Sequence, residues 1–260
     1  MNYTIPDKYK VKTNHGSKGC QIKYFRNNYW YKLDNSCNEG KNEHLASIIL
    51  KCSNITDFVY YEACTVNNIK ACRSYNFLNK DEMLITLDDV ICTITGTNNA
   101  ENLLWSIPDI KERFNFLVES VKKYTYNRLD ITNYLRSNIY LDWLILNRDR
   151  HLNNLGIIVD ITNDKYRCAP IFDNGLSLLG GCQAMVFEYG IEHTVNSQNS
   201  RTISGSFANQ ALASTNGVYK SPIKVNFNKL ENMIKNDVNI TNFQKSVIEY
   251  QYRNIGNLFK

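Results

Sequence analysis

The sequence has no long apolar run, no export signal and no repeat. No stretch approaches the roughly 18 consecutive apolar residues that span a bilayer as a helix, so nothing in the chain predicts a membrane partner. The first residues, Met-Asn-Tyr-Thr-Ile-Pro-Asp, lack the basic and apolar regions of a signal peptide. We therefore expect a cytoplasmic protein, with an effector secreted without a Sec signal as the alternative.

Two further absences concern charge and cysteine pairing. The 30 Lys and Arg residues are interspersed with 25 Asp and Glu residues, and they form no basic stripe of the kind that binds nucleic acid without specificity. The eight cysteines form no CxxC pair and have no histidine at zinc-binding spacing. We expect no direct nucleic-acid partner, and we interpret the cysteines as reduced, mostly buried thiols.

The amino-terminal part carries strand patterns around one helix. The 260 residues, 43% of them hydrophobic, suffice for one domain or for a two-lobed unit with a sizeable core. Aromatic and β-branched runs at 20–25 and 29–33, joined by Arg-Asn-Asn, predict a hairpin. Apolar residues at helical spacing predict a helix over 43–51, and two more strands are expected near 58–65 and 69–74.

From about residue 80 the pattern becomes mainly helical. The predicted elements are helices from Pro108 onward, over 131–147, over 227–235 and over 241–259, and a hairpin over 155–171. The stretch 180–221 is rich in Ser, Asn, Gly and Thr, and we interpret it as a mobile segment.

The residues that could carry chemistry flank the second hairpin. Asp149 follows the helix over 131–147, and Asn154 lies five positions later. Asp173 comes after the hairpin, beside Gly175, which permits a turn. A carboxylate that orients an acceptor hydroxyl, with an amide oxygen and a second carboxylate for Mg²⁺, is what phosphoryl transfer from ATP requires. Each motif alone fits an ordinary Asx-rich turn, but both in this order favour a phosphotransferase that uses ATP and Mg²⁺.

The amino-terminal strands offer the complementary half of such a site. Lys32, inside an otherwise apolar strand, is placed to reach nucleotide phosphates, and Glu43 on the next helix could pair with it. We assign both to the catalytic set with Asp149, although a lysine on the exposed face of the strand fits the same pattern. The loop over 14–20 precedes the first hairpin, and its glycines allow close backbone approach to phosphate.

Further nucleotide contacts are predicted where strands give way to helices. Residues 73–77 form a candidate hinge whose backbone would meet the adenine, although the aromatic residues there fit a core equally well. The full set predicted to bind the nucleotide is Gly16, Ser17, Lys18, Gly19, Lys32, Arg73, Tyr75 and Phe77. Arg150 and His151, beside Asp149, are interpreted as residues that hold the shape of their loop.

Two segments together resemble a known family. Asn-Arg-Asp-Arg-His-Leu-Asn-Asn at 147–154 and Ala-Pro-Ile-Phe-Asp-Asn-Gly at 169–175 resemble the carboxy-terminal kinase signature of the HipA-like serine/threonine kinases. Within that family the chain looks most similar to a compact bacterial kinase. The resemblance covers roughly 14–180, including the glycine loop, the Tyr-Lys-Leu strand and Asn-Glu-His at the start of the predicted helix.

The resemblance implies an α+β, two-lobed protein-kinase-like fold. A small β-rich amino-terminal lobe would cover 1–77 and a larger, mainly helical carboxy-terminal lobe would cover 78–260. ATP and Mg²⁺ would lie in the cleft, with Asn154 and Asp173 as metal ligands and with Lys32 and Asp149 in their kinase roles. The implied activity is transfer of phosphate to a Ser or Thr hydroxyl of a protein substrate, by a bacterial toxin or effector.

The family also suggests regulation. Its namesake is silenced when a serine of the glycine-rich loop is autophosphorylated and the loop is ejected. Ser17 is the matching residue here, although this loop departs from the namesake's form, and the 180–221 segment is a second candidate region for autophosphorylation. The chain begins too close to its glycine loop to contain the namesake's extra amino-terminal subdomain. Docking to a DNA-bound antitoxin in the namesake's manner would therefore need a separate polypeptide that supplies this subdomain. The partner that the resemblance implies is a separately encoded antitoxin or regulatory subunit.

Three other functions remain open. Phosphoinositide kinases similarly carry an Asp-Arg-His-x-x-Asn loop and a later Asp-x-Gly, but this chain is small and has no basic, lipid-facing stretch after Asp173. A catalytically weak pseudokinase that acts as a binding module is disfavoured because all five expected groups are present. An aminoglycoside-type kinase would be expected to have an acidic pocket, of which the segment after 180 gives little sign.

Overall fold

The structure, a computed structural model, describes residues 1–11 and 21–260. Its strands are β1 Asn2–Tyr3, β2 Lys23–Arg26, β3 Tyr29–Leu33, β4 Tyr61–Val66, β5 Ile69–Tyr75, β6 Glu82–Thr86, β7 Gly156–Asp160 and β8 Lys165–Cys168. Among the described residues they form a five-stranded sheet of order β1-β4-β5-β3-β2 and a three-stranded sheet of order β6-β7-β8. Strand β1 runs parallel to β4, and the other neighbouring strands are antiparallel.

Paired asparagines make the two hairpin turns of the larger sheet. Asn27 and Asn28 have φ of 53° and 64°, and Asn67 and Asn68 have φ of 49° and 66°. Two successive left-handed residues match the twist of the flanking strands, and asparagine tolerates that conformation better than most residues. The hairpin and the two further strands predicted in the amino-terminal part are confirmed.

One helix packs on the larger sheet, and the other helices follow from residue 87 onward. The helices are α1 Glu39–Lys51, α2 Leu87–Thr95, α3 Ala100–Ser106, α4 Ile110–Tyr124, α5 Thr132–Ile145, α6 Gln183–Asn196, α7 Phe207–Ser214, α8 Phe227–Lys235 and α9 Asn242–Ile255. The helix predicted to begin at Pro108 is α4, and it begins two residues later. Asp109 caps it by accepting a hydrogen bond from the backbone N–H of Glu112.

One large apolar core surrounds α5 and continues through α1 to the sheet. Leu135, Ile139 and Leu144 of α5 are completely buried, as are Leu45 and Ile49 of α1. Because both helices are enclosed by other elements, they fix the positions of the loops at their ends. The loop after α5 contains Asp149, so a rigid helix positions the predicted catalytic loop.

The larger sheet buries both of its faces. Its outer face packs under the amino-terminal segment through the cluster of Ile5, Tyr24, Tyr31, Leu33, Val66 and Ala71. Its inner face meets the smaller sheet through Val59, Tyr61, Cys72, Ile158, Ala169 and Phe172. Side chains alternate along a strand, so Lys32, between Tyr31 and Leu33, points to the inner face.

The predicted α+β architecture, with a β-rich amino-terminal part and a mainly helical remainder, is confirmed. Two local predictions were wrong. Strand β6 lies where only helix was expected, because its residues pair with residues of β7 that lie 70 to 78 positions later. The segment 180–221 is folded: it contains α6 and α7, and Ile203, Phe207 and Ala211 within it are buried in the core.

Two smaller findings concern cysteines and membranes. The cysteines at positions other than 20 are unpaired, in agreement with the interpretation as thiols, but the expectation that most are buried was wrong: only Cys52 and Cys72 are buried, and the other five are partly exposed. Within residues 1–11 and 21–260, every helix is too short or too polar to cross a bilayer.

Candidate active site

Lys32 lies at the centre of a cluster on the inner face of the sheet. Its Nζ is 2.9 Å from Oδ1 of Asp173 and 3.5 Å from Oε1 of Glu43, and it also lies 3.4 Å from the hydroxyl oxygen of Tyr61. Only 13% of the side chain is exposed. Lys32 therefore does not lie on an exposed face of the strand, which was the alternative interpretation.

The first turns of α1 are tied to the turn that carries Asp173. Asn42 donates through Nδ2 to the carbonyl oxygens of Gly175 and Ser177, at 2.9 and 3.0 Å. Glu43 accepts through Oε2 from the backbone N–H of Asn174 at 2.8 Å. Gly175 packs so closely that an added Cβ would lie 3.1 Å from the Cβ of Glu39. The glycine predicted to permit a turn thus also permits this close approach of helix and turn.

Asp173 is held in an uncommon backbone conformation. Its φ is 59°, in the left-handed region that few non-glycine residues adopt. Its backbone N–H donates to the hydroxyl oxygen of Tyr61 at 3.4 Å, and the preceding Phe172 packs on Phe77 with ring centroids 5.8 Å apart. The neighbouring packing therefore maintains a geometry that directs the carboxylate at Lys32, and such strain is typical of functional turns.

The charges of this cluster stabilise one another. Burial alone would lower the pKa of Lys32, but the neighbouring Asp173, followed by Tyr61, raises it well above its ordinary value. Burial would raise the pKa of Asp173, but Lys32 and then Lys23 hold it well below its usual range. Burial raises the pKa of Glu43 to about 7, against the opposing effect of Lys32. Lys32 and Asp173 are therefore a charged pair, while the charge of Glu43 depends on pH near neutrality.

The loop after α5 is shaped by hydrogen bonds among its own residues. Asn147 accepts through Oδ1 from the backbone N–H of Asp149 at 3.1 Å and donates through Nδ2 to Asp142 at 3.0 Å. Asn154 donates through Nδ2 to the backbone carbonyl of Asp149 at 3.0 Å. The Asp149 side chain remains 33% exposed, so its carboxylate is accessible from solvent while its backbone is fixed.

Arg150 joins this loop to the turn at Asp173. It is completely buried, and its guanidinium pairs with the equally buried carboxylate of Asp142 at 3.1 Å. Nη1 donates to the carbonyl oxygens of Phe172 and Asn154, at 2.5 and 3.3 Å. Nη2 donates to Oδ1 of Asn174 at 2.6 Å. One guanidinium thus connects the two motifs, which lie more than 20 residues apart in the sequence.

A second arginine contacts Asp149 from a distant part of the chain. Nη1 of Arg201 lies 3.0 Å from Oδ1 of Asp149, and Nε and Nη2 contact the two carboxylate oxygens of Glu101 at 3.0 and 3.3 Å. His151 lies on the other side of the same carboxylate, with Nε2 3.9 Å from Oδ2. The candidate catalytic carboxylate therefore has a cationic or polar neighbour on each of its oxygens.

The residues predicted to contact the nucleotide are placed differently from one another. Gly16, Ser17, Lys18 and Gly19 lie outside the described residues. The side chain of Arg73 lies on the outer face of the sheet, because it is next to Cys72, which faces inward. There it pairs with Glu62 at 2.5 Å.

The two aromatic residues of the predicted hinge also diverge. Tyr75, the last residue of β5, is largely exposed and makes an edge contact with Tyr29 at 5.3 Å between ring centroids. Phe77 packs against the inner-face cluster beside Phe172. Of the three hinge residues predicted to bind the nucleotide, Phe77 is the one whose side chain lies near the site.

The donor set fits a nucleotide with its magnesium better than a resident metal. Within the described ranges, no three His, Cys, Asp or Glu side chains converge as a ready-made metal site. Asp173 and Asn154 together supply one carboxylate and one amide oxygen, and Arg150 holds the backbone on either side of them. Magnesium is commonly bound by one or two protein oxygens together with substrate phosphates and water, so this sparse set suits Mg²⁺ that arrives with ATP.

Several residues of the site were missed by sequence reasoning. Asp142 is the lone carboxylate in an apolar run of α5, and this pattern could have predicted a buried ion pair. Lys23 is in register with Lys32 across the hairpin, which the turn position would have revealed. Tyr61 and Arg201 carried no comparable sign, because each reaches the site only through long-range folding.

Comparison with solved structures identifies the fold. The chain matches the Helicobacter pylori proinflammatory kinase CtkA with a TM-score of 0.68 and 16% identity, over 96% of this chain and 93% of that chain. It matches a chain of the Shewanella oneidensis MR-1 toxin–antitoxin system HipA, HipB and its operator DNA complex, with a TM-score of 0.50 and 10% identity, over 96% of this chain and 66% of that chain. No family model and no curated protein matches the sequence.

At these identities the likeness establishes the fold and not the chemistry. The chain has the protein-kinase-like fold of CtkA and HipA, and the predicted resemblance to HipA-like proteins is confirmed at the level of structure.

Proposed function

We propose that this protein is an ATP- and Mg²⁺-dependent kinase of the HipA-like type, which transfers the γ-phosphate to a Ser or Thr hydroxyl of a protein. One observation carries the proposal: the Lys32 cluster and the Asp149 loop are a single network joined through Arg150, in a chain with the fold of the kinase CtkA. Phosphoryl transfer depends on positioning and charge neutralisation, and this network supplies both.

The nucleotide side of the site would be the Lys32 cluster. The ammonium of Lys32 would bind ATP phosphates, and Glu43 would keep the lysine side chain in place. Asp173 and Asn154 would hold Mg²⁺, which neutralises negative charge on the phosphates when it is bound. Phe77, which is partly exposed beside the inner-face apolar cluster, would contact the adenine.

The acceptor side would be the Asp149 carboxylate. Asp149 would orient the acceptor hydroxyl in line with the γ-phosphorus and take up its proton. The acceptor oxygen forms its bond to phosphorus while the bond from phosphorus to the β–γ bridging oxygen breaks, and ADP leaves with that electron pair. The exposure of Asp149 is consistent with a protein acceptor that approaches from solvent.

The remaining expectations from the family extend the proposal. Residues 1–77 and 78–260 would act as two lobes, with 73–77 as their hinge. Ser17 would be the regulatory autophosphorylation site, and the protein would act as a toxin or delivered effector. The Shewanella oneidensis complex contains HipB, and a separately encoded partner of that kind would be the counterpart for this chain.

The direct test is incubation of the purified protein with γ-labelled ATP and Mg²⁺. Wild type should label itself or a generic protein acceptor on Ser or Thr, and Asp149→Asn and Asp173→Ala should lower the labelling at least about a hundredfold. Asp164→Asn, an exposed carboxylate at the β7–β8 turn, is the matched control and should label as wild type does.

Additional arms of the same experiment test the substrate class and the regulatory site. Phosphatidylinositol vesicles offered beside the protein acceptor distinguish a lipid kinase from a protein kinase. Ser17→Ala should remove the regulatory phosphate if that site is right. Equal labelling in wild type, Asp149→Asn and Asp173→Ala, or none in any of them, would reject the kinase assignment.

A further inference from the structure

The turn between α6 and α7 places one arginine against the candidate catalytic carboxylate. Arg201 uses Nε and Nη2 to hold both oxygens of Glu101, in a side-on fork. Its remaining nitrogen, Nη1, donates to Oδ1 of Asp149 at 3.0 Å. The guanidinium thus connects α3, which carries Glu101, with the loop that carries Asp149.

The backbone of Arg201 is fixed on both sides. Ser200 is buried and donates through its hydroxyl to the carbonyl of Ser204. Thr202 is also buried and donates through Oγ1 to the carbonyl of Arg150 at 3.2 Å, beside Asp149 itself. The arginine therefore projects from a turn anchored to the catalytic loop.

A neighbouring contact anchors the same turn from a second direction. Arg113 of α4 donates through Nη1 to the carbonyl of Ile203 at 3.0 Å, and Ile203 is completely buried. A segment held by the core in this way is poorly suited to leave the site as a lid. A fixed position for Arg201 beside Asp149 fits these contacts better than a removable plug.

The two other arginines beside the loop are committed elsewhere. Arg150 is buried with Asp142, and Arg148 donates to the carbonyl of Gly180 at 2.8 Å. His151 is 3.9 Å from Oδ2 of Asp149, beyond hydrogen-bond distance. Among the residues that the structure describes, Arg201 is thus the side chain that hydrogen-bonds the Asp149 carboxylate.

We infer that Arg201 is a positioning residue for phosphoryl transfer: Glu101 fixes its guanidinium, which holds Oδ1 of Asp149 and leaves Oδ2 to the acceptor hydroxyl. The inference rests on the proposed function, because it presupposes Asp149 as the group that meets the acceptor. A carboxylate fixed through one oxygen presents the other in a defined direction, and orientation of this kind is a major part of catalysis.

Steady-state transfer to a protein acceptor tests the inference in four variants. Arg201→Ala should lower kcat about tenfold to a hundredfold and change KM for ATP little, because Arg201 is placed on the acceptor side. Arg201→Lys should recover part of the loss, since an ammonium cannot reproduce the fork. Glu101→Gln should lie between wild type and Arg201→Ala. Arg253→Ala, which removes an exposed ion pair on α9, is the matched control.

Chemical rescue separates positioning from a merely structural role. Guanidinium chloride at millimolar, non-denaturing concentration should restore part of the kcat of Arg201→Ala and none of that of Asp149→Asn. The thermal midpoint of Arg201→Ala should stay within about 4 °C of wild type, because partly exposed ion pairs contribute little stability. If Arg201→Ala does not fold, Arg201→Lys and Glu101→Gln carry the same test.

The outcomes distinguish this inference from the proposed function. If wild type transfers no phosphate, the proposed function fails and the inference fails with it. If wild type transfers phosphate and Arg201→Ala matches it, the inference alone is wrong. Faster transfer by Arg201→Ala would identify an inhibitory plug, and a loss that neither lysine nor guanidinium relieves would indicate a structural role; either result overturns positioning.

Discussion

The two halves of the candidate site use similar ion pairs in different surroundings. Lys32 is 13% exposed and Glu43 is 2% exposed, while Asp173 against them is 29% exposed, so the lysine and the glutamate of the proposed nucleotide half are largely removed from water. Arg201 is 44% exposed and Asp149 is 33% exposed, so the acceptor half is open. Breaking an ion pair therefore costs more stability in the buried half than in the open half.

The difference suggests a division of labour. Buried charges are costly to leave unpaired, so we expect Lys32 and Glu43 to keep their mutual contact in the protein without ligand. Exposed charges exchange water and partners at small cost, which suits the role proposed for Asp149 in meeting an acceptor hydroxyl. Arg150 links the halves, and it is completely buried together with its partner Asp142.

The largest effect on stability is expected at that link. Arg150→Met leaves the carboxylate of Asp142 buried without its partner and should lower the free energy of unfolding by about 3–5 kcal/mol. Arg167→Met is the matched control: it removes a half-exposed arginine from Glu82 and should cost less than about 1 kcal/mol. Denaturant unfolding of both variants measures the difference. Equal losses of unfolding free energy would contradict the claim that a buried ion pair is costlier to break than an exposed one.

A pH-dependent effect is expected next, at Glu43. Its pKa is raised by burial from 4.5 to about 7, so between these values the folded state keeps a proton that the unfolded state has lost. Rising pH therefore favours unfolding: the contribution is fully present below pH 4.5 and is lost as pH approaches and passes 7. Relative to Glu43→Gln, which mimics the protonated acid, wild type should lose roughly 2–3 kcal/mol across this window.

Unfolding free energies of wild type and Glu43→Gln at several pH values provide the measurement. Glu119→Gln removes a solvent-exposed carboxylate and serves as the control for the loss of one negative charge. A constant difference between wild type and Glu43→Gln from pH 4.5 to 8 would show that Glu43 is ionised throughout, and that Lys32 outweighs its burial.

The nucleotide half should also control affinity for ATP. Lys32→Met removes the ammonium proposed to bind phosphate and should weaken ATP binding about tenfold to a hundredfold, because a hydrogen bond to a charged group is worth about 1.5–3 kcal/mol. Lys70→Met, at the exposed end of β5, is the matched control. Calorimetric titration with ATP and Mg²⁺ compares them, and unchanged affinity in Lys32→Met would remove the lysine from the nucleotide site.

Sequence patterns revealed this buried half better than the open one. Lys32 lies on a strand and Glu43 on a helix with clear periodicity, and the structure brings both to Asp173. Arg201 lies 52 residues after Asp149 in a Ser- and Asn-rich stretch without periodicity, so no local pattern could place it. Its position depends on buried contacts such as that of Thr202 with the loop, which arise only from the tertiary fold.

The same limit explains the two errors in the fold. The residues of β6, Glu-Met-Leu-Ile-Thr, do not alternate between polar and apolar, and only their pairing with β7 makes them a strand. Polar composition made 180–221 resemble a mobile segment, although Ile203 and Phe207 anchor it in the core. Local propensity does not predict helices in a polar segment with only a few apolar residues, because the packing of those residues against distant elements stabilises the helices.

The smallest effect on stability is expected at the most important carboxylate. Asp149→Asn should change the free energy of unfolding by less than about 1 kcal/mol, since its ion pair with Arg201 is exposed, while it lowers phosphoryl transfer at least about a hundredfold. Asp142→Asn is the same chemical change seven residues earlier, in complete burial, and should cost about 3 kcal/mol because Arg150 then lacks a carboxylate. Unfolding curves of Asp149→Asn and Asp142→Asn, measured under the same conditions, compare the two losses of unfolding free energy. A similar loss in both would mean that burial does not distinguish the structural carboxylate at 142 from the proposed reactive carboxylate at 149.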